Sequence, residues 1–237
     1  MSDETHMARF WDERARENAF FFVDDRLDYG RADEERFWRG GEEVLGAMLD
    51  TFDLDLRPLD VVVEIGCGVG RLTRPIARAA GRVVAIDVSS EMLALARSQN
   101  DWLEGVEWML GDGRTLAGVG DASADVCLSY VTFQHIPDPA VTLGYVAEMG
   151  RVLRDGGFAL FQVSNDAAVH RARRDLRGCL RALVGRGPRG TRDPAWTGAQ
   201  IDLPALRAAA TDAGLDVQGV IYEGTQFCLV HAVRTNR

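Results

Sequence analysis

The sequence predicts an α/β fold: a mostly parallel, doubly wound sheet that closes with an antiparallel hairpin. Three observations carry this. Val61-Val62-Val63 is a β-branched run followed by Glu64, Ile65 and glycines at 66, 68 and 70, the pattern of a buried parallel strand ending in a turn where bare backbone meets a ligand. Strand-like and helix-like segments then alternate as far as Val163, as βα units do. The last stretch reads as a strand from Leu215 to Tyr222, a Glu223-Gly224 turn and a strand to Val233, a hairpin.

Length and charge bound the rest. A chain of 237 residues makes one large domain that buries roughly 70% of its unfolded surface. The net charge of −9 argues against general nucleic-acid binding, which calls for a basic face. Eight arginines and one aspartate nevertheless crowd into residues 170–192. The four cysteines, Cys67, Cys127, Cys179 and Cys228, show no C-x-x-C spacing, so neither a metal site nor a disulfide framework is predicted. No run of 18 apolar residues and no signal-peptide core occurs, which predicts a cytoplasmic protein with no membrane partner.

Taken in order, residues 1–52 are helical in character and rich in aromatics, including Phe20-Phe21-Phe22. They read as anchors of a helical arm against the body or, in the case of the Phe cluster, as a lid over a pocket. After the first strand the helix runs from near Arg71 to Ala80, stopped by Gly81. A second strand, Arg82–Ile86, ends at Asp87, and Ser89 or Ser90 caps the next helix. The third strand, Val106–Leu110, ends in Gly111-Asp112-Gly113, and the fourth, Ala124–Ser129, in the segment Tyr130–Pro139. A helix from Ala140 to Leu153 leads through Asp155-Gly156-Gly157 to a fifth strand, Phe158–Val163. Beyond it Ser164-Asn165-Asp166 caps an amphipathic helix with apolar positions from Val169 to Leu183. Asp202 caps a helix that Gly214 ends.

Four successive strands thus end in residues suited to ligand contact, and open α/β sheets bind ligands at the carboxyl ends of their strands. The glycine spacing narrows the ligand. Dinucleotide turns read G-x-G-x-x-G, whereas Gly66, Gly68 and Gly70 give G-x-G-x-G with Arg71 next. Glu64 beside the turn suits a ligand with a positive centre and is poorly matched to a pyrophosphate. A nicotinamide-dependent oxidoreductase is disfavoured on the same ground.

Together, Glu64-x-Gly66-x-Gly68-x-Gly70, Asp87, Gly111-Asp112, Gly156-Gly157 and the run Phe133–Asp138 resemble the class I S-adenosylmethionine-dependent methyltransferases, small-molecule branch. The resemblance is specific over about 61–163. It implies a three-layer, seven-stranded Rossmann-like sheet forming a single domain. Within it, 1–52 is an arm or lid, 61–163 the cofactor core, 164–200 a substrate-side insertion and 201–237 the closing helix and hairpin. It implies S-adenosyl-L-methionine as cofactor. Gly66, Cys67, Gly68 and Gly70 would pass under its methionine part and Glu64 would lie near the amino group. Asp87 would take the ribose hydroxyls, Val88 and Met92 would flank the adenine, and Asp112 with Gly113 would receive its amino edge. Ser129 would hold the methionine end, and Gln134 and His135 would face the methyl group.

The sulfonium already activates the methyl, so the family's protein part chiefly aligns a nucleophile. The expected activity is methylation of an oxygen or nitrogen of a small-molecule acceptor; the alternative is a protein of the same fold with a non-methylating activity. His135 is the candidate general base, against packing beside Pro137. Phe20, Phe21, Tyr130 and Trp196 are candidate acceptor contacts, with Trp196 equally readable as a core anchor. The arginine-rich segment reads as a solvated helix face or as a patch for an acidic partner.

Overall fold

The β-branched run becomes the interior strand β1 (Val61–Ile65) of a seven-stranded sheet. The computed structural model describes residues 3–30, 33–170 and 188–236. β1 pairs in parallel with β2 (Arg82–Asp87) on one side and β4 (Ala124–Ser129) on the other. Outward from these lie β3 (Val106–Leu110) and β5 (Leu153–Val163), also parallel. β6 (Leu215–Ile221) and β7 (Cys228–Arg234) form an antiparallel pair. The order is β3-β2-β1-β4-β5-β7-β6, so strand order reverses between β1 and β4 and opens a crevice there.

Strand alternation divides the core into two layers. Val63, Ile65, Cys127 and Phe161 face one side, where they meet Val146 and Met149 of α5 (Pro139–Val152) and Leu206 of α7 (Leu203–Asp212). Val62, Val83, Val126 and Leu160 face the other, against Leu45 and Met48 of α2 (Glu34–Asp50), Ile76 of α3 (Thr73–Ala79) and Leu93 of α4 (Ser90–Gln99). α1 (Asp3–Val23) adds a third cluster in which Ala15 and Ala19 meet Phe37, Val69 and Met92. Phe37 is fully buried, worth about 1.5–3 kcal/mol for a side chain of this kind.

Short polar residues set the helix starts. Ser89 is the cap that α4 uses, accepting from Met92 N–H at 3.1 Å. Asp138 caps α5, Asp202 caps α7, and Asp193 caps the one-turn α6 (Pro194–Thr197), with proline at N1 or N2 in all three, where the missing N–H costs nothing. α1 bends at Asn18 (φ −168°, ψ 82°), whose Oδ1 accepts from Phe21 N–H.

One expectation is corrected. β5 begins at Leu153, not Phe158: Leu153 pairs with Ala124, then the chain loops through Gly156 at φ 79° and Phe158 rejoins opposite Val126. The closing hairpin is antiparallel as expected, with β7 inserted between β5 and β6 so that both of its edges are antiparallel. The helix expected as far as Leu183 and the bulk of the arginine-rich segment, with Cys179, lie outside the described residues.

Candidate active site

All three turn glycines have left-handed backbone, φ +76°, +55° and +87° at 66, 68 and 70. A Cβ on Gly66 would collide with the Thr132 side chain, and one on Gly70 would lie 2.8 Å from the Trp108 ring. The spacing therefore answers to the fit of β3 and the loop after β4 as well as to a ligand. Several of the turn's N–H groups are already paired within the protein. Gly66 and Cys67 N–H both donate to Ile86 O, and Gly68 N–H donates to Asp87 Oδ2 at 2.8 Å. What the turn offers is close approach.

Two acids stand at its base. Glu64 is buried and its Oε2 accepts from Thr73 Oγ1 at 2.5 Å; its other oxygen has no hydrogen bond among the described residues. Desolvation pushes its carboxyl up to about 7, against the Thr73 hydrogen bond, with the nearby Asp87 raising it further. Asp87, half-buried at the end of β2, accepts from Gly68 N–H and from Ser89 N–H at 2.8 Å. Desolvation raises it to about 6 despite those backbone bonds.

One cavity joins these groups. Glu64, Gly66, Cys67, Gly68 and Asp87 form its floor, with Val88, Met92 and Gly113 to one side and Tyr130 and His135 to the other. Met7, Trp11, Phe22 and Val23 of α1 close it from above, and a Cβ on Gly68 would come within 3.0 Å of Val23. α1 is tied down by Asp12, which accepts from Ser89 Oγ at 2.7 Å and Glu91 N–H at 3.1 Å at the start of α4.

The loop after β4 is strained and heavily bonded. Val131 has φ +56°, an outlier for a β-branched residue, and its N–H donates to Gln162 Oε1 at 2.9 Å. Gln134 Oε1 accepts from Gln162 and Gln226 amides. The Gln134 amide also sits 3.1 Å from His135 Nε2, and His135 Nδ1 is 2.6 Å from Trp196 O. With Nδ1–H donating to that carbonyl, Nε2 is the acceptor and the ring is neutral. Burial lowers His135 to about 4, against the Trp196 carbonyl. A ring so weakly basic, with both nitrogens engaged, is poorly placed for the base role expected of it.

A second cavity shares Phe22, Val23, Arg71, Tyr130, Val131 and His135 with the first. Asp24 crosses its entrance, accepting from Arg26 Nε and Nη2 at 2.7 Å each and from Arg71 Nη1 at 2.6 Å. Burial works to raise Asp24, but the hydrogen bonds from Arg26 and the charge of Arg71 hold it below the usual carboxylate range.

Of the residues singled out from sequence, the first cavity gathers Glu64, Gly66, Cys67, Gly68, Asp87, Val88, Met92, Gly113, Tyr130 and His135. Gln134 and Trp196 line the second. Gly70 supports the turn from behind. Ser129 donates to Ile65 O at 2.9 Å, which leaves it holding β4 to β1. Asp112 is exposed, and its carboxylate accepts from Arg114 N–H, Thr115 N–H and Thr115 Oγ1. Phe20 packs on Phe37 and Trp38, and Phe21 on Phe22 and Tyr29; neither lines either cavity. Phe22 takes that place. Sequence reading did not single out Met7, Arg71 or Thr132, and placed Trp11 only among the aromatics of the helical arm. Only Arg71 had a local signal, as the residue where a third dinucleotide glycine would stand next. Among the described residues no group of three or more metal-ligating side chains could hold a metal ion, and no helix is long and apolar enough to cross a membrane.

Residues 63–161 match the methyltransferase domain family. The chain is 31% identical over 166 residues to the ubiquinone biosynthesis O-methyltransferase of Methylococcus capsulatus, covering 67% of this chain and 64% of that one. It is 38% identical over 128 residues to the trans-aconitate 2-methyltransferase of Mycolicibacterium gilvum, covering 52% and 46%. The chain spans less than two thirds of the length of these curated relatives. Its fold matches the crystal structure of the YcgJ protein from Bacillus subtilis with a TM-score of 0.61 and 18% identity, over 83% of this chain and 100% of that one. With the sheet order and the glycine turn, these matches show that residues 63–161 carry a class I S-adenosylmethionine-dependent methyltransferase domain.

Proposed function

We propose that this chain transfers the methyl group of S-adenosylmethionine to a small-molecule acceptor. The observation that supports this best is a single cavity floored by the family's motif residues from the ends of β1 and β2 and adjoined by a second cavity. The donor set suits the cofactor. The free oxygen of Glu64 faces a space where an ammonium would relieve the cost of burying the acid. Each Asp87 oxygen accepts one backbone N–H, which leaves lone pairs for two vicinal hydroxyls. Val88 and Met92 offer apolar walls to a base, and Gly113, at φ 80°, leaves room for it to lie flat. In this reading Asp112 shapes the Gly111–Gly113 turn through its hydrogen bonds to Arg114 and Thr115.

The cofactor supplies an electrophilic methyl on a sulfonium. This chain's residues supply alignment and dryness: Trp11, Phe22 and Val23 cover the glycine turn and exclude water, which strengthens the electrostatics inside. Tyr130, Val131 and His135 form the wall shared by the two cavities, and we assign to it the path between acceptor and methyl. His135 acts in this reading as a positioning residue that ties the loop after β4 to α6. Oriented reactants of this kind gain on the order of 7–11 kcal/mol. The relatives' names speak of an O-methyltransferase of ubiquinone biosynthesis and of a trans-aconitate 2-methyltransferase, and the first of these supports an oxygen acceptor.

Thermal unfolding with S-adenosylhomocysteine and with NAD tests the cofactor. At 100 times its Kd a ligand stabilises the folded state by about 2.7 kcal/mol. A rise in Tm with S-adenosylhomocysteine and none with NAD is expected; the reverse pattern sinks the reading.

A further inference from the structure

We propose that the second cavity takes an acceptor bearing a carboxylate and that this carboxylate is the nucleophile, so that the product is a methyl ester. The inference rests on the methyltransferase reading and names its substrate class.

The first observation is an unfilled donor set where the two cavities join. Arg71 is only 3% exposed, yet of its nitrogens only Nη1 has a partner among the described residues, and Nε is buried without one. The Tyr130 hydroxyl likewise has no hydrogen bond among the described residues. Both side chains line both cavities. A buried polar group left unpaired is costly, and a guanidinium presents the planar fork that a carboxylate fits. Asp24 does not cancel this, because it is shared between Arg26 and Arg71, and among the charged side chains lining the second cavity Arg26, Arg71 and Arg192 outnumber Asp24 and Asp25.

The second observation is that both histidines facing the second cavity, and Asp24, are already engaged. The second cavity is faced by His135 and His170. Both His135 nitrogens are engaged by Gln134 and Trp196, and those of His170 lie 2.6 Å from Thr197 O and 2.7 Å from Ser164 Oγ. Asp24 is held by two arginines; Asp25 also lines the cavity, solvent-exposed, its carboxyl raised above the usual range by partial burial. A neutral hydroxyl or an ammonium would have to give up a proton here. A carboxylate is already ionised at neutral pH. One of its oxygens, with the other held by Arg71 and Tyr130, forms the new bond to the methyl carbon while the carbon–sulfur bond breaks and its electron pair returns to sulfur. The negative and positive charges cancel, and no proton moves.

The methionine end of the cofactor also carries a carboxylate, so the test must separate the two sources. The full chain is incubated with S-adenosyl[methyl-³H]methionine and matched acceptors differing in one group: cinnamate, cinnamyl alcohol and cinnamylamine, then succinate with the corresponding diol and diamine. S-adenosylhomocysteine affinity is measured alongside by calorimetry. Label released as volatile methanol by alkali, from the acids at ten times or more the level of their analogues, is the expected result. Tyr130→Phe and Arg71→Gln are expected to raise the acid's KM about tenfold with S-adenosylhomocysteine affinity within about twofold of wild type. Where Arg71→Gln fails to fold, Tyr130→Phe with Arg26→Gln reads the same subsite. Alkali-stable label, or no transfer to any acid while S-adenosylhomocysteine binds, overturns the proposal. So does weakened S-adenosylhomocysteine binding with unchanged acid KM, which assigns the subsite to the cofactor. Failure of the wild type to bind S-adenosylhomocysteine instead removes the methyltransferase reading itself, and this inference with it.

Discussion

Glu64 and Thr73 are joined by a 2.5 Å hydrogen bond across the base of the glycine turn, tying the end of β1 to the first residue of α3. That bond leaves one oxygen of a buried acid open to the cavity, and the chemistry of the turn follows from it.

The free protein is expected to lose stability as pH rises from about 4.5 to about 7. Folded Glu64 keeps its proton up to about 7 whereas the unfolded chain releases it near 4.5, so the native state binds more protons in that window and its advantage is lost through it. The loss is on the order of 3 kcal/mol, and Asp87 adds the same sign between about 3.8 and 6. Urea unfolding of Glu64→Gln between pH 5 and 8 should show a flatter dependence; an unchanged slope would remove Glu64 from this account.

Cofactor affinity should move the other way. An ammonium pairs with ionised Glu64, so S-adenosylhomocysteine binding is expected to strengthen up to pH 7 and then level, by at most tenfold per pH unit. Glu64→Gln should weaken binding about tenfold or more at pH 8 and abolish that slope in calorimetric titrations.

Gly66→Ala should be damaging on two counts. Alanine at φ +76° carries roughly 1–3 kcal/mol of backbone strain, and its methyl would meet Thr132. For a chain of this size that strain alone corresponds to a fall in Tm of roughly 2–12 °C. A thermal scan showing wild-type Tm would contradict the turn geometry.

Asp12→Ala tests the lid. It removes the acceptor for Ser89 Oγ and Glu91 N–H, a loss of about 1 kcal/mol of capping, and frees α1 from the start of α4. Faster amide exchange in α1 and a several-fold weaker affinity for S-adenosylhomocysteine are expected. Unaltered exchange would show that α1 is held by its other contacts, the Arg16–Glu91 and His6–Asp193 pairs and its aromatic packing.

His135 separates positioning from proton transfer. With its ring held neutral down to about 4, kcat at saturating cofactor should show no inflection near pH 6.5 in wild type. His135→Ala should lower stability by roughly 1–3 kcal/mol by orphaning Trp196 O and Gln134. An inflection near 6.5 that vanishes in His135→Ala would restore the base role.

The elements that sequence determined are those written in local code. Val61–Val63 has the β-branching of a buried strand, glycines at 66, 68 and 70 permit φ values other residues resist, and Asp202 stands just before a proline-bearing helix start. From these came the parallel core, the glycine turn and Asp87 at a strand end. Tertiary structure alone decided the rest, because it depends on residues far apart in the chain. The insertion of β7 between β5 and β6 is a choice among pairings of similar strands. Phe22 rather than Phe20 or Phe21 walls the cavities, a choice among three adjacent identical side chains that depends on how α1 docks on the body. The links between Gln134, Gln162 and Gln226 that fix His135 span 28 and 92 residues, and the Arg71–Asp24 pair spans 47. No periodicity or capping signal records contacts of that range; only chain folding brings such groups within hydrogen-bonding distance.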